Sequence, residues 1–177
     1  GSLPGGPSRR RVAVVSNHPP AADLAARLER AELAARATEV DALLITPGPD
    51  LRYLVGYDAI PLERLTCLVV PSHGDPRIVV PALEKAAALA SPIGELGIEV
   101  LTWGETDDPY ALVASLLPEH SRVALDNHMW AEKVLRLRGA MPGGEQLLAG
   151  TVLRELRIRK TPEEVEALRR AGAAIDR

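Results

Sequence analysis

The sequence predicts a layered α/β domain, with a mixed and mostly parallel sheet of about five to six strands and helices on both faces. Over most of the chain, short apolar runs alternate with segments of helical periodicity, which is typical of parallel strands joined by helices. The apolar runs 65–71 and 77–81 differ, because only a short Gly/Asp turn separates them. A connection that short joins antiparallel strands, so the sheet is expected to contain one antiparallel hairpin.

The first half of the chain opens with a predicted helix after Pro19-Pro20, where apolar residues recur at helical spacing. These residues are Leu24, Leu28, Ala31 and Ala35. The run 42–46 predicts a short buried strand, which Pro47-Gly48-Pro49 is expected to end. The following residues, 49–64, are interpreted as a long loop that leads to the hairpin.

The second half of the chain continues the alternation of helices and strands. Asp108-Pro109 is a typical helix start, Gly139 is interpreted as a helix end, and the glycines at 94 and 97 as plain turns. These patterns predict helices at 83–90, from 109 onward and around Trp130, Val134 and Leu137. They predict strands at 98–102 and 123–125, with a shorter strand around 146–148.

Three segments follow from these patterns. Residues 1–11 are expected to be a disordered arm or tag remnant, and residues 12–150 the α/β domain. Residues 151–177 are expected to form a linker and the first helix of a further domain that is missing here. That helix starts at Thr161-Pro162, and its apolar residues continue to the end of the chain without a stop signal.

Composition and charge argue against several classes of partner. A formal net charge of −3 gives no general attraction to nucleic acid, and no apolar run approaches the ~20 residues that span a membrane. The single cysteine, Cys67, lies in an apolar run, so a buried and inert thiol is expected. We therefore expect a cytoplasmic protein that binds neither nucleic acid nor membranes.

A search for catalytic motifs finds no recognisable constellation. The four histidines lack the spacing of metal ligands on a helix, and no nucleophile elbow, phosphate loop or dinucleotide fingerprint occurs. Asp126-Asn127-His128 follows a predicted strand, where α/β sites collect. Capping of the next helix by Asp126 or Asn127 explains this segment equally simply. No catalytic residue and no metal ligand is therefore predicted in this chain.

The segment 49–64 is the candidate functional region. It joins two buried strands and combines two of the three tyrosines with several charged residues. Long connections of this kind usually carry a binding function or an interface. The alternative is that Tyr53, Leu54 and Tyr57 merely cover the edge of the sheet.

Two motifs in this order resemble the N-terminal domain of the creatinase/prolidase/Xaa-Pro aminopeptidase family. The first runs from Arg52 to Tyr57 and continues at Glu63-Arg64, before an apolar strand. The second, 153–165, contains Lys160-Thr161-Pro162-Glu163-Glu164, which is similar to the family's junction with its catalytic domain. The resemblance extends from about residue 21 to the end and implies a creatinase N-terminal fold.

The resemblance implies a division of labour between two domains. The C-terminal catalytic domain would hold two divalent metal ions (Mn, Co or Zn) and hydrolyse proline-containing peptides, whereas this chain would contribute no ligand and no cofactor. The N-terminal domain would form a homo-oligomer, with a homodimer expected, and its loop 57–63 would gate the active site of a neighbouring subunit. The implied gating or interface residues are Asp50, Arg52, Tyr53, Tyr57, Asp58, Glu63 and Arg64.

One position departs from the family pattern. Some members have a histidine just before the Glu-Arg pair, and this chain has Leu62 there. Two other functions therefore stay open besides the Xaa-Pro peptidase. One is a binding or assembly module of a creatinase-like amidinohydrolase, and the other is a relative whose catalytic domain is degenerate.

Overall fold

The computed structural model describes residues 17–158 together with Glu166, Arg169, Arg170 and Gly172. Its six strands are β1 (Ala42–Ile45), β2 (Cys67–Pro71), β3 (Arg77–Pro81), β4 (Glu99–Trp103), β5 (Arg122–Leu125) and β6 (Glu145–Leu148). Its helices are α1 (Ala21–Ala37), α2 (Pro49–Val55), α3 (Lys85–Ala90), α4 (Pro92–Glu95), α5 (Pro109–Ser115), α6 (Ala131–Ala140) and α7 (Gly150–Ile158). A short 3₁₀ turn, Ala82–Glu84, leads into α3.

The six strands form one mixed sheet in the order β4-β3-β2-β1-β5-β6. Three of the neighbouring pairs are parallel, β3–β4, β1–β5 and β5–β6. The hairpin β2–β3 is antiparallel, as the sequence predicts. The pair β1–β2 is also antiparallel, because β2 begins at the edge where β1 ends, so that Ile45 pairs with Leu68. The sheet is thus mostly parallel, with β2 running against both of its neighbours.

Helices cover both faces of the sheet, and each face has its own apolar core. Alternate residues of one strand belong to different cores, since successive side chains of a strand point to opposite faces. Leu43 and Ile45 pack with α1, α2, α3, α4 and α7. Ala42 and Leu44 pack with α5 and α6. The expected α/β layers are therefore confirmed.

Two of the predicted helices show their sequence signals directly in the structure. The buried residues of α1 are the four that the helical spacing selects, Leu24, Leu28, Ala31 and Ala35. Asp108 caps α5, since its Oδ1 accepts hydrogen bonds from the backbone N–H groups of Tyr110 and Ala111 at 3.0 and 3.2 Å. Both signals are local, which is why the sequence alone revealed them.

The prediction that 49–64 is a loop throughout is wrong, because α2 occupies its first half. Pro49 is the first residue of α2, where its missing N–H costs nothing. Gly56 ends the helix in the left-handed conformation, with φ +67°, and its N–H donates to the carbonyl of Arg52 at 2.9 Å. The Pro-Gly-Pro segment therefore ends a strand and starts a helix within three residues.

Two glycine assignments from the sequence also need correction. Gly139 lies inside α6, which ends one residue later at Ala140. Gly94 lies in the short helix α4 rather than in a plain turn, and the side chain of Ser91 caps that helix by accepting from the N–H of Ile93. In both places the neighbouring residues favour helix more strongly than one glycine opposes it.

Neither Asp126 nor Asn127 caps α6, which begins without a side-chain cap. Asn127 Oδ1 instead accepts from the N–H of Gly150 at 2.8 Å and so caps the start of α7.

The expected arm, 1–11, and most of the helix expected after Pro162 lie outside the described residues. Glu166, Arg169, Arg170 and Gly172 are helical and exposed, in agreement with a helix in that segment. The division into three segments stays a prediction.

Candidate functional site

The candidate site begins at Gly56, where the chain leaves α2. A Cβ at this position would lie 2.9 Å from Pro92 Cγ and 3.2 Å from Leu24 Cδ1. Together with the positive φ, this close approach requires glycine. Gly56 therefore lets α1, α2 and α4 approach one another at the point where residues 57–64, the 57–64 loop, begin.

The 57–64 loop forms one wall of a cleft of about 660 Å³. Residues before and within α3 and α4 form the other wall, among them Glu84, Ala87 and Pro92. Tyr57 lies at the base of the cleft and is 7% exposed. Burial, and next the negative charge of Glu84, raise the pKa of the Tyr57 hydroxyl above its ordinary value of 10.0.

The tip of the loop is apolar and exposed. Ile60 is 75% exposed and Leu62 48% exposed, and both line the cleft. Side chains of this size are rarely left together in water without a partner, and such patches typically mark an interaction site. The rim of the cleft therefore has the character of a contact surface.

Arg52 and Asp58 form an ion pair at the start of the loop. Arg52 Nε and Nη2 both donate to Asp58 Oδ1, at 3.3 and 2.9 Å. Both side chains are largely exposed, so the pair contributes roughly 1 kcal/mol or less to stability. Its main effect is to hold Asp58, which lines the cleft, against the end of α2.

Tyr53 connects three helices rather than lining the cleft. The guanidinium of Arg27 lies 4.3 Å from the centre of the Tyr53 ring and donates to the Tyr53 carbonyl at 2.9 Å. The Tyr53 hydroxyl donates to the carbonyl of Leu156 in α7 at 3.4 Å. Asp50, in the first turn of α2, is also buried. These two residues support the fold beneath the loop.

Glu63 and Arg64 lie on the outer side of the loop and are exposed. Arg64 Nη2 is 3.8 Å from Glu105 Oε1. Of the seven residues that the sequence selects, the structure thus places Tyr57 and Asp58 in the cleft and Arg52 beside them. The other four face the interior or the outer surface.

Asp126, for which the sequence left a site or a helix cap open, is buried and accepts several hydrogen bonds. Asp126, at the carboxyl end of β5, accepts from Thr46 N at 2.8 Å, from Thr46 Oγ1 at 2.6 Å and from His128 N at 3.0 Å. Burial raises the pKa of Asp126, although these hydrogen bonds act in the opposite direction.

Lys133 in α6 is only 2% exposed and donates from Nζ to the carbonyl of Leu62 at 2.6 Å. Sequence reasoning missed this lysine. Its burial could have been inferred from its position on the apolar face of α6, three residues after Trp130 and four before Leu137.

Cys67 is buried, as predicted. Burial raises the pKa of its thiol to about 12, so it is not a nucleophile at neutral pH. Among the described residues, no cluster of three or more His, Cys, Asp or Glu side chains is arranged to hold a metal ion. In the same part of the chain, no helix has the length and apolarity that a membrane crossing requires.

The structure is an α/β domain with a partly apolar cleft and, among its described residues, no cluster of metal-ligating side chains. A family model described as "Creatinase/Prolidase N-terminal domain" matches residues 27–159. The chain belongs to this family, which confirms the resemblance inferred from the two motifs.

Similar proteins are peptidases. The "Probable dipeptidase PepE" of Mycobacterium tuberculosis is 47% identical over 152 residues, which are 84% of this chain and 40% of that protein. The "Xaa-Pro dipeptidase" of Lactobacillus helveticus is 32% identical over 71% of this chain and 35% of its own length. The crystal structure of dipeptidase PepE from Mycobacterium ulcerans superposes with a TM-score of 0.84 at 44% identity, covering 90% of this chain and 43% of that one. The chain spans about 40% of the length of the PepE dipeptidases it matches.

Proposed function

We propose that this chain is the non-catalytic N-terminal domain of a metal-dependent Xaa-Pro dipeptidase. The main support is that its relatives are dipeptidases of more than twice the matched length, and it matches about 40% of the PepE proteins. No metal-binding cluster occurs in the described part of the chain, so the chemistry is assigned to the remaining length of the full protein. Two divalent ions there, of manganese, cobalt or zinc, would activate the attacking water and polarise the scissile carbonyl.

The role assigned to this domain is to assemble the oligomer and to gate the active site of a neighbouring subunit. The exposed apolar side chains of Ile60 and Leu62 support an interface at the rim of the cleft. The buried Tyr57 at its base and the paired Asp58 supply polar groups beside the apolar rim. Small-molecule sites combine apolar walls with a few placed polar groups in the same way.

The activity is tested on the full-length protein with Xaa-Pro dipeptides as substrates. We expect hydrolysis with at least one of Mn²⁺, Co²⁺ and Zn²⁺, and its loss after treatment with a chelator. Inactivity with all three metals contradicts the proposal. Creatine, offered as a substrate in parallel, separates the peptidase from the creatinase-like alternative.

The gating and assembly role is tested with a matched pair of exposed apolar residues. Ile60→Ser removes the apolar tip of the 57–64 loop, and Leu33→Ser removes a 52% exposed side chain from α1. We expect the first variant alone to weaken the oligomer in light scattering or to raise KM for the dipeptide. Equal behaviour of the two variants contradicts the role. The cytoplasmic location stays a prediction, which cell fractionation tests.

A further inference from the structure

We propose that Lys133 is a positioning residue, whose buried ammonium sets the geometry of the 57–64 loop by holding the carbonyl of Leu62. The consequence for substrate handling rests on the proposed function of the loop. The anchoring itself rests only on the contacts described in this chain, so the two parts can fail separately.

The contact between Lys133 and Leu62 joins distant parts of the chain. The Nζ–O distance is 2.6 Å across 71 residues of sequence, and the lysine is 2% exposed. Nζ also lies 4.7 Å from the centre of the Trp130 ring, which shields one side of the ammonium. A hydrogen bond from a charged donor in such surroundings is among the stronger ones that proteins make.

The loop depends on such contacts because its own backbone provides few. Within the described residues, 57–66 make no backbone–backbone hydrogen bonds outside the strand ladders. Side chains of other elements hold this stretch instead. The contacts are Arg52 to Asp58, Lys133 to the Leu62 carbonyl, Trp103 Nε1 to the Leu65 carbonyl at 2.9 Å, and Thr66 to Glu84 at 3.2 Å. Of these contacts, the one from Lys133 is made to a residue of the apolar tip itself, Leu62.

Burying a lysine at position 133 lowers the stability of the fold unless its hydrogen bond to the Leu62 carbonyl compensates. Burial lowers the pKa of Lys133, so its charged form carries a desolvation penalty. Position 133 lies on the apolar face of α6, where a methionine of similar length would avoid that penalty. Lys133→Met is therefore expected to fold, and its main defect should be the released Leu62 carbonyl.

The anchor is tested by trypsin cleavage after Arg64, which is exposed and lies between the contacts at Leu62 and Leu65. We expect Lys133→Met to speed this cleavage about tenfold, which corresponds to the loss of one hydrogen bond from a charged group. The matched control is Lys85→Met, the same change at an exposed lysine. Cleavage after Arg77, in β3, reports opening of the whole domain and serves as the reference rate.

A second measurement does not depend on a variant. In ¹⁵N NMR spectra of the unchanged chain, the Lys133 ammonium should exchange its protons with water far more slowly than that of Lys85. Equally fast exchange at the two lysines overturns the inference. An unchanged rate of cleavage after Arg64 in Lys133→Met also overturns it, whatever the activity of the enzyme.

Kinetics of the full-length protein then connect the anchor to function. Lys133→Met should raise KM for an Xaa-Pro dipeptide while kcat is kept, because the loop is displaced and the metal-bound chemistry is not. Lys133→Arg, which keeps a charged donor, should recover part of the loss. Faster cleavage after Arg64 with unchanged KM supports the anchor and contradicts the gating function instead.

Discussion

Position 56 requires glycine for two reasons, its backbone conformation and the close packing around it. Its φ of +67° disfavours any side chain, and a Cβ would approach Pro92 Cγ to 2.9 Å. We expect Gly56→Ala to lower the free energy of unfolding by about 1–3 kcal/mol, measured by urea denaturation.

The matched control for Gly56 is Gly139 in α6, where a Cβ would meet no atom within 4 Å. Gly139→Ala should stabilise the chain by about 0.5–1 kcal/mol, because alanine favours a helix interior more than glycine does. A loss of equal size in the two variants contradicts the special role of Gly56.

Asp126 should make stability depend on pH in a characteristic direction. Its pKa is raised in the folded chain, so the folded state binds its proton more tightly than the unfolded state does. The contribution of Asp126 to stability is then largest below its ordinary pKa of 3.8 and falls as pH rises through the folded value. Urea denaturation at several pH values should show that the wild type loses stability relative to Asp126→Asn over this range. A constant difference contradicts the raised pKa.

Helix α7 lies near the end of the described chain, yet it belongs to the apolar core that α1 and α2 form on one face of the sheet. Val152, Leu153 and Leu156 pack there, and Asn127 caps the start of the helix. We expect Leu153→Ala to cost about 2–5 kcal/mol in the free energy of unfolding, because the truncation leaves a cavity.

The control for α7 is Leu148→Ala in β6, where the side chain is 58% exposed. This change should alter stability by about 0.5 kcal/mol or less. If Leu153→Ala is equally mild, α7 is not docked on the core as described.

At the scale of the whole molecule, we expect this chain alone to have no peptidase activity. The isolated 177-residue chain should hydrolyse no Xaa-Pro dipeptide in the presence of Mn²⁺, Co²⁺ or Zn²⁺. Titration calorimetry should likewise show no tight binding of these ions, since no group of three ligands converges among the described residues. Measurable metal-dependent hydrolysis by this chain contradicts the assignment of catalysis to another domain.

The success and failure of sequence reasoning follow the range of the interactions involved. The apolar face of α1 and the cap at Asp108 depend on neighbours within one or two helical turns, so their patterns are visible in sequence. The start of α2 was also local, but the same Pro-Gly-Pro segment satisfies the rules for ending a strand and for starting a helix. Both rules apply in the structure, and packing of Leu51 and Leu54 in the core stabilises the helix that the loop prediction left out.

The family motif identified the right region but did not separate the roles of its residues. Tyr53 and Tyr57 look alike in the motif, yet one connects α1, α2 and α7, whereas the other lies at the base of the cleft. Lys133 was absent from the motif because its partner is a backbone carbonyl, which leaves no trace in the residue type of Leu62.

The order and type of most elements and the hairpin could be read from the chain alone, because short-range periodicity, turns and capping encode them. The family was indicated by the resemblance of two motifs. Folding decided the antiparallel pairing of β1 with β2, the cleft and the anchoring of its loop. Each of these joins residues that are far apart in sequence, up to 71 positions for Lys133 and Leu62, and only the packed sheet brings them together.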